Sequence, residues 1–300
     1  MTTKSCMSPV RGSFETYPLQ TPKSKVLDSL IRRRNLGASG GANRRSLTRS
    51  NRARLLAMAR IFITGSADGL GRMAATALVS QGHDVVLHAR NARRGQEALD
   101  QVPGAETVLT GDLGKIEEAK QLAQKVNALG NFDAVIHNAG VYQASAQEIL
   151  KVNTLAPYIL TSLIKIPRRL IYLSSGMHLN GSPKLESLNT NNNRITYSDS
   201  KLHVLMLCLA VARKWLPVYA NAVDPGWVPT KMGGQGAPDD LKKGYETQAW
   251  LAVSEDHEAR VSGLYFHHQK ETQHNPQADD VQLQEKFLCV CEELTGVSFP

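Results

Sequence analysis

From residue 58 onward, short runs of Ile, Val and Leu alternate with segments in which apolar residues recur at helical spacing. The apolar runs predict seven strands, near residues 59–64, 84–89, 106–110, 132–137, 169–174, 218–223 and 263–267. The intervening and following segments predict helices near residues 69–81, 93–101, 115–129, 146–165, 198–215, 239–253 and 279–294. This alternation is typical of an α/β fold with a single doubly wound parallel sheet, helices on both faces and a ligand crevice at the carboxyl ends of the strands.

The charge of the chain is unevenly distributed. Residues 1–57 hold 12 Lys and Arg against two acids, although the whole 300-residue chain has a net charge of only +8. We therefore expect a basic, disordered N-terminal extension, followed by one nearly neutral domain at residues 58–300. Three interpretations of the extension stay open: an inert tail or a start that belongs at Met58, an organelle-targeting peptide, and an arm for nucleic acid or lipid. Its two aromatics lie away from the Arg clusters, so we expect no nucleic-acid partner.

Cysteine spacing bears on the cellular compartment of the protein, and hydropathy bears on whether the chain crosses a membrane. The four cysteines, at positions 6, 208, 289 and 291, have neither disulfide nor metal spacing, which favours a reducing compartment. The longest apolar run, residues 204–212, is far shorter than the roughly 20 residues that a membrane-spanning helix needs. We therefore expect a cytoplasmic protein without a membrane span, or an organellar one if the extension is a transit peptide. His267 and His268 would face opposite sides of a strand, so we expect no metal site.

A glycine-rich turn follows the first predicted strand and precedes the first predicted helix. Glycine permits close approach of the backbone to a pyrophosphate, whose charge the amides and dipole of the helix amino end can meet. The turn therefore predicts a dinucleotide site in a Rossmann-type sheet, with an ordinary strand-to-helix turn as the alternative. The residues expected to bind there are Gly65, Ser66, Asp68, Gly69, Leu70 and Gly71.

The end of the second predicted strand bears on the choice between NAD and NADP. An acid at this place would bind the adenosine ribose of NAD, but the chain has Ala89 and then Arg90. Because an arginine can pair with a 2′-phosphate, we expect NADP (NADPH), with NAD less favoured. The alternative is a surface arginine in a basic patch. After the third strand, Asp112 and Leu113 lie where adenine would sit.

Tyr197 and Lys201 are four residues apart in a predicted helix, so their side chains lie on one helical face. A tyrosine is a poor acid or base at neutral pH, but a neighbouring cation lowers the pKa of a phenol by roughly 1 to 3 units. The spacing therefore predicts an acid–base pair. An exposed helix with no catalytic role is the alternative.

Four motifs, in order, resemble those of the short-chain dehydrogenases and reductases. Residues 64–71 match T-G-x-x-x-G-x-G, residues 138–140 match the end of N-N-A-G, residues 197–201 match Y-x-x-x-K, and residues 225–230 resemble P-G-x-x-x-T. The resemblance covers residues 58 to about 268. The segment between residues 175 and 197 and the C-terminal pattern are similar to the retinol-dehydrogenase-like branch and to bacterial daunorubicin C-13 ketoreductases.

The resemblance implies a catalytic set. Ser175 would hold the substrate carbonyl oxygen, Tyr197 would give up a proton, and Lys201 would bind the nicotinamide ribose. Asn153 would keep a proton-relay water beside Lys201. Ser174 is the alternative to Ser175.

The resemblance also implies further cofactor contacts, with Thr230 bound to the carboxamide. Besides Tyr197 and Lys201, these contacts would come from Asn138, Ala139, Gly140, Pro225, Gly226, Val228 and Thr230. His137 stands where the family has asparagine, and we interpret it as a core or strand-end histidine.

Together these features predict an NADP-dependent carbonyl reductase or alcohol dehydrogenase, which moves hydride between the nicotinamide and a ketone, aldehyde or secondary alcohol. A non-catalytic NADP-sensing regulator of the same fold is the alternative. The helices near 146–165 and 198–215 are apolar over more than the sheet-facing side, and in the family they pair across a dimer. We therefore expect a homodimer or homotetramer, unless the chain itself buries these sides. We expect the insertion between residues 175 and 197, which includes the polar segment 180–194, to border the substrate crevice.

Overall fold

The computed structural model describes residues 58–189 and 194–300, so the predicted N-terminal extension lies outside the described residues. The described strands form one sheet, numbered here in chain order. They are β1 (Arg60–Ile63), β2 (Asp84–Ala89), β3 (Thr107–Thr110), β4 (Ala134–His137), β5 (Arg169–Leu173), β6 (Tyr219–Asp224), β7 (Tyr265–His267) and β8 (Lys270–Glu271). Their order in the sheet is β3-β2-β1-β4-β5-β6-β7-β8. Strands β1 to β7 are parallel and β8 is antiparallel to β7, which confirms the predicted doubly wound sheet and adds one two-residue strand.

The described helices follow the predicted ones closely. They are α1 (Gly69–Ser80), α2 (Ala92–Gln101), α3 (Ile116–Ala128), α4 (Ala146–Ile149), α5 (Ala156–Leu163), α6 (Tyr197–Lys214), α7 (Leu241–Val253) and α8 (Val281–Thr295). A π-helical turn, Leu150–Leu155, joins α4 to α5 where the sequence predicted one continuous helix. In the described ranges, no helix has the length and apolar character needed to cross a membrane.

The two faces of the sheet are covered by different helices because successive strand residues point to opposite sides. In β1, Ile61 and Ile63 pack with α1, α2 and α7, whereas Phe62 packs with α3, α5, α6 and α8. Each such side chain, when fully buried, stabilises the fold by about 1.5–3 kcal/mol. The chain passes from β1 outward to β2 and β3 and then returns to β4 on the other side of β1, so a crevice opens between the carboxyl ends of β1 and β4.

Helix α6 is buried on nearly all sides within this chain. Helix α8 places Phe287, Leu288 and Cys291 in the same core as the buried residues of α6. The described part of the polar insertion, through residue 189, adds Leu185 and Leu188 to this core, and none of its residues lines the cleft described below. The expectation that the insertion between residues 175 and 197 borders the substrate crevice stays a prediction. Association into a homodimer or homotetramer stays a prediction, although the chain itself buries much of the apolar surface on which it rests.

Candidate active site

A cleft of about 570 Å³ opens at the carboxyl edge of the sheet, between the turns that follow β1 to β6. It brings together most of the residues predicted to bind a dinucleotide. Those that line it are Gly65, Asp68, Gly69, Leu70, Arg90, Asp112, Leu113, Asn138, Ala139, Gly140, Tyr197, Lys201, Pro225 and Thr230. Residues that sequence reasoning did not assign to the cleft also line it. The main ones are Ala67, His88, Asn91, Val141, Glu148, Lys231 and Met232.

Four predicted contact residues lie behind the surface of the cleft. Ser66 is fully buried, and its hydroxyl donates a hydrogen bond to the Ile63 carbonyl at 2.9 Å. Val228 is also buried, while Gly226 adopts φ +79° in the loop after β6. Gly71, the fourth, packs against the turn after β4. These residues shape the turns and do not line the cleft.

The glycine turn is held against the turn after β4 by direct contacts. The Asn138 amide donates to the carbonyl oxygens of Thr64 at 3.0 Å and Gly65 at 3.2 Å, and the Thr64 hydroxyl accepts from the Ala139 amide at 3.0 Å. A Cβ added to Gly71 would lie 2.3 Å from Asn138 Nδ2 and 2.6 Å from the Gly65 oxygen. Glycine is therefore required at position 71 by the close approach of the two turns.

His88 ties the turns after β1 and β3 together, a role that the sequence did not reveal. Its Nδ1 accepts from the Gly65 amide at 3.0 Å, and its Nε2 lies 2.9 Å from the Gly111 oxygen. Burial lowers the pKa of His88 to about 4, so the ring is neutral at physiological pH. A neutral ring with its proton on Nε2 satisfies both contacts.

His137 is a core histidine, as expected. It is buried, its ring stacks on that of Tyr172 with centroids 4.8 Å apart, and its Nε2 lies 3.2 Å from the Thr161 hydroxyl. Burial lowers its pKa to about 3. The ring is therefore uncharged and stabilises the end of β4 by packing.

Charge is concentrated at the glycine-turn end of the cleft. Asp68 caps α1 by accepting from the Gly69 amide at 2.9 Å, and its carboxylate also binds Arg94 and Lys231. Partial burial opposes ionisation of Asp68, but the hydrogen bonds from Lys231, Gly69 and Arg94 prevail and lower its pKa to about 2. Lys231, on the loop after β6, thus reaches across the cleft to the turn after β1.

The residues at this end fit a dinucleotide that carries a 2′-phosphate. Gly69 has φ +53°, and a Cβ there would meet nothing within 4 Å, so the space over the amino end of α1 is open. Arg90 follows β2 directly, is exposed to the cleft, and makes no hydrogen bond or ion pair with another described residue. Its neighbour Arg93, by contrast, pairs with Glu97 at 2.7 Å. A cation without a partner, such as Arg90, suits a phosphate better than a ribose hydroxyl.

At the other end of the cleft, a capping box fixes the start of α6. The Thr196 hydroxyl accepts from the Asp199 amide at 3.2 Å, and the Asp199 carboxylate accepts from the Thr196 amide at 2.8 Å. Lys184 also binds Asp199 at 2.7 Å. The helix therefore begins at Tyr197, and Lys201 lies one turn further on the same face.

The Ser175 side chain lies beside the Tyr197 hydroxyl and favours its ionised form. The neighbouring Ser174 points elsewhere, since its hydroxyl donates to the Lys201 carbonyl at 2.9 Å. Burial raises the pKa of Tyr197 to about 12, Ser175 acts in the opposite direction, and Asp224 raises it further. The expected lowering of this pKa by a neighbouring cation is therefore not found. Tyr197 is protonated at neutral pH.

Lys201 and Asn153 are held by the backbone around the cleft. The Lys201 ammonium donates to the Leu173 carbonyl at 2.8 Å and lies 5.3 Å from the centroid of the Tyr197 ring. Burial lowers the pKa of Lys201 to about 8. Asn153, in the π turn, accepts from the Val141 amide at 2.8 Å and donates to the Val141 carbonyl at 3.0 Å. The Asn153 side chain therefore holds the backbone that follows β4 in place next to Lys201.

Comparison with known proteins agrees with this geometry. Residues 59–240 match a family model described as short chain dehydrogenase. An uncharacterized oxidoreductase of Emericella nidulans is 45% identical over 256 residues, 81% of this chain and 99% of that protein. A Streptomyces protein named as a daunorubicin C-13 ketoreductase is 27% identical over 248 residues, 73% of this chain and 86% of that protein.

A solved structure of an uncharacterized protein from Mycobacterium paratuberculosis has the same fold. It superposes with a TM-score of 0.70 at 23% identity, over 82% of this chain and 96% of that one.

Proposed function

The chain belongs to the short chain dehydrogenase family, whose members are oxidoreductases, and on this basis we propose that it is an NADP-dependent carbonyl reductase or alcohol dehydrogenase. Its substrate would be a ketone or aldehyde in one direction and an alcohol in the other. A non-catalytic regulator that only binds NADP is the competing proposal.

The proximity of Ser175, Tyr197 and Lys201 supports the enzyme over the regulator. Tyr197 and Lys201 line one end of a cleft whose other end is the glycine turn, and Ser175 lies beside Tyr197. A protein that only senses a dinucleotide needs the glycine turn, but it has no need for two hydroxyls and a buried ammonium at the far end. Buried polar groups are costly unless they are partnered, so their retention indicates a use.

In the proposed reaction the chain's own groups handle the carbonyl oxygen. When bound, NADPH supplies hydride to the carbonyl carbon. Ser175 donates a hydrogen bond to the oxygen and Tyr197 gives it a proton, so the carbonyl becomes an alcohol. Because Tyr197 is protonated at neutral pH, it is ready to act as an acid, which favours reduction. Lys201, held at the Leu173 carbonyl, would bind the nicotinamide ribose and offset negative charge on Tyr197.

The remaining residues predicted to contact the dinucleotide are distributed along the length of the cleft. Gly65, Asp68, Gly69 and Leu70 would hold the pyrophosphate at the amino end of α1, and Arg90 would pair with the 2′-phosphate. Asp112 and Leu113 would border adenine. Asn138 to Gly140, Pro225 and Thr230 would border the nicotinamide half.

The test is a titration of the full chain with NADPH, followed by absorbance at the reduced-nicotinamide band as ketones and aldehydes are added. We expect NADPH to bind and to be oxidised in the presence of a carbonyl compound. Binding without oxidation by any compound would favour the regulator, and absence of binding would contradict both proposals.

A further inference from the structure

Large exposed apolar side chains lie on the loops that follow β4, β5 and β6, three of the strands whose carboxyl ends border the cleft. Of the nine such side chains in the described residues, five follow these strand ends, whereas Leu163, Ile166 and Leu216 precede β5 or β6 and Val281 begins α8. We call these five the apolar rim, and each is at least 40% exposed: Tyr142, Met177, Leu179, Trp227 and Met232. Exposed apolar side chains concentrated in one place mark a binding site more often than isolated ones do.

The rim is continuous with the reacting groups. The Tyr142 ring meets the Tyr197 ring edge to face, with centroids 4.9 Å apart and an angle of 73°. The Met177 amide donates to the Ser175 hydroxyl at 3.3 Å. Met232 lines the same cleft as Tyr197. A molecule whose carbonyl lies beside Ser175 and Tyr197 is therefore close to Tyr142, Met177 and Met232, and Leu179 and Trp227 belong to the rim by their positions after β5 and β6.

Trp227 is held in place although it is exposed. Its indole Nε1 donates to the Gly233 carbonyl at 2.8 Å, and its amide donates to the Asp239 carboxylate at 2.6 Å. A Cβ on Gly233 would lie 2.1 Å from the Val228 oxygen, so only glycine permits this close turn. A fixed indole presents its flat surface to a ligand at little cost in conformational entropy.

The cations near the rim have partners or lie at the other end of the cleft. Lys231 pairs with Asp68, and Lys201 donates to the Leu173 carbonyl. Arg90 follows β2, at the glycine-turn end. Among the described residues that line the cleft, the cation at the catalytic end is thus Lys201, which is buried and is the group proposed to bind the nicotinamide ribose, and no exposed cation there is left for an anionic substrate.

We propose that the apolar rim binds a ring-bearing, uncharged part of the substrate, so that this protein prefers neutral ketones or aldehydes that carry an aromatic or similarly flat apolar group. Tyr142 and Trp227 provide aromatic faces, and the thioethers of Met177 and Met232 adapt to different ring outlines. This inference rests on the proposed carbonyl chemistry for turnover. Its binding component is measurable without turnover.

Three methyl ketones with the same groups next to the carbonyl test the proposal. Benzylacetone ends in a phenyl ring, levulinate ends in a carboxylate, and butanone lacks both. With the full chain and saturating NADPH, we expect kcat/KM for benzylacetone to exceed that for butanone by roughly a hundredfold, because the ring loses its contact with water. We expect levulinate to be the poorest of the three. Equal kcat/KM values would leave the reductase intact and overturn the rim proposal.

Binding is followed separately through the fluorescence of Trp227, taken as the difference between the wild type and Trp227→Phe. We expect benzylacetone, but not levulinate, to quench this signal. Quenching without NADPH oxidation would support the rim while contradicting the proposed reductase. If benzylacetone neither quenches nor is reduced, the rim proposal fails.

Substitutions at the rim separate binding from chemistry. Trp227→Ala should raise KM for benzylacetone about tenfold, with kcat changed little and the butanone kinetics unaltered. Leu216→Ala is the matched control, because Leu216 is exposed and precedes β6, at the amino edge of the sheet, whereas Trp227 follows β6. Equal effects of Trp227→Ala on benzylacetone and butanone would indicate a structural role and overturn the proposal. So would sedimentation as a dimer that Trp227→Ala dissociates, since a second copy would then cover the rim.

Discussion

The two ends of the cleft are built by different means. At the glycine-turn end, the backbone is fixed by contacts among turns, with Asn138 bound to the oxygens of Thr64 and Gly65, and His88 bridging Gly65 and Gly111. At the catalytic end, buried polar groups meet exposed apolar side chains on loops, such as Tyr142 against Tyr197. A close-fitting backbone suits one invariant ligand, whereas loop side chains suit substrates that differ among members of one fold. The difference indicates that cofactor binding and substrate choice can be changed independently.

Gly71→Ala should break the glycine-turn end and produce the largest loss of cofactor affinity. The new Cβ would meet Asn138 and the Gly65 carbonyl, so the two turns must move apart. Overpacking of this kind costs about 1–3 kcal/mol, which corresponds to roughly a five- to hundredfold rise in the Kd for NADPH and NADH alike. Fluorescence titration measures both values.

Gly236→Ala is the control for the Gly71 substitution, because a Cβ at position 236 meets nothing within 4 Å. Its Kd for NADPH should equal that of the wild type. An unaltered Kd in Gly71→Ala would show that the cofactor does not depend on this turn.

Arg90→Ala should change only the preference of the protein for NADPH over NADH. Loss of a charged hydrogen bond costs about 1.5–3 kcal/mol, so the Kd for NADPH should rise by roughly ten- to a hundredfold while the Kd for NADH stays the same. Arg93→Ala is the matched control, since Arg93 already pairs with Glu97. Parallel weakening of NADPH and NADH by Arg90→Ala would refute the 2′-phosphate contact.

The strands and helices could be predicted from hydropathy because apolar residues recur at a regular spacing in both. The first helix was expected at 69–81 and runs over Gly69–Ser80, and the second strand was expected at 84–89 and runs over Asp84–Ala89. The π turn at Leu150–Leu155 was missed because its apolar residues fit an ordinary helix equally well. The contacts of Asn153 with Val141 that accompany the turn join residues 12 apart, and no local pattern reveals them.

Site residues that belong to a sequence motif were predicted. Site residues whose role depends on a partner distant in the sequence were missed. Tyr197 and Lys201 share a helix, so their spacing was enough to bring them together. By contrast, Lys231 and Asp68 are 163 residues apart, and His88 has the position of an ordinary strand residue. The pKa of Tyr197 was misjudged because burial, which the sequence does not show, raises it.

The most direct test of the account is Tyr197→Phe, measured for both NADPH binding and turnover with an accepted carbonyl compound. Phenylalanine keeps the ring beside Tyr142 but has no proton to give. We predict an unchanged Kd for NADPH and a kcat lower by about a hundred- to ten-thousandfold. A kcat equal to that of the wild type would contradict the assignment of Tyr197 as the proton donor.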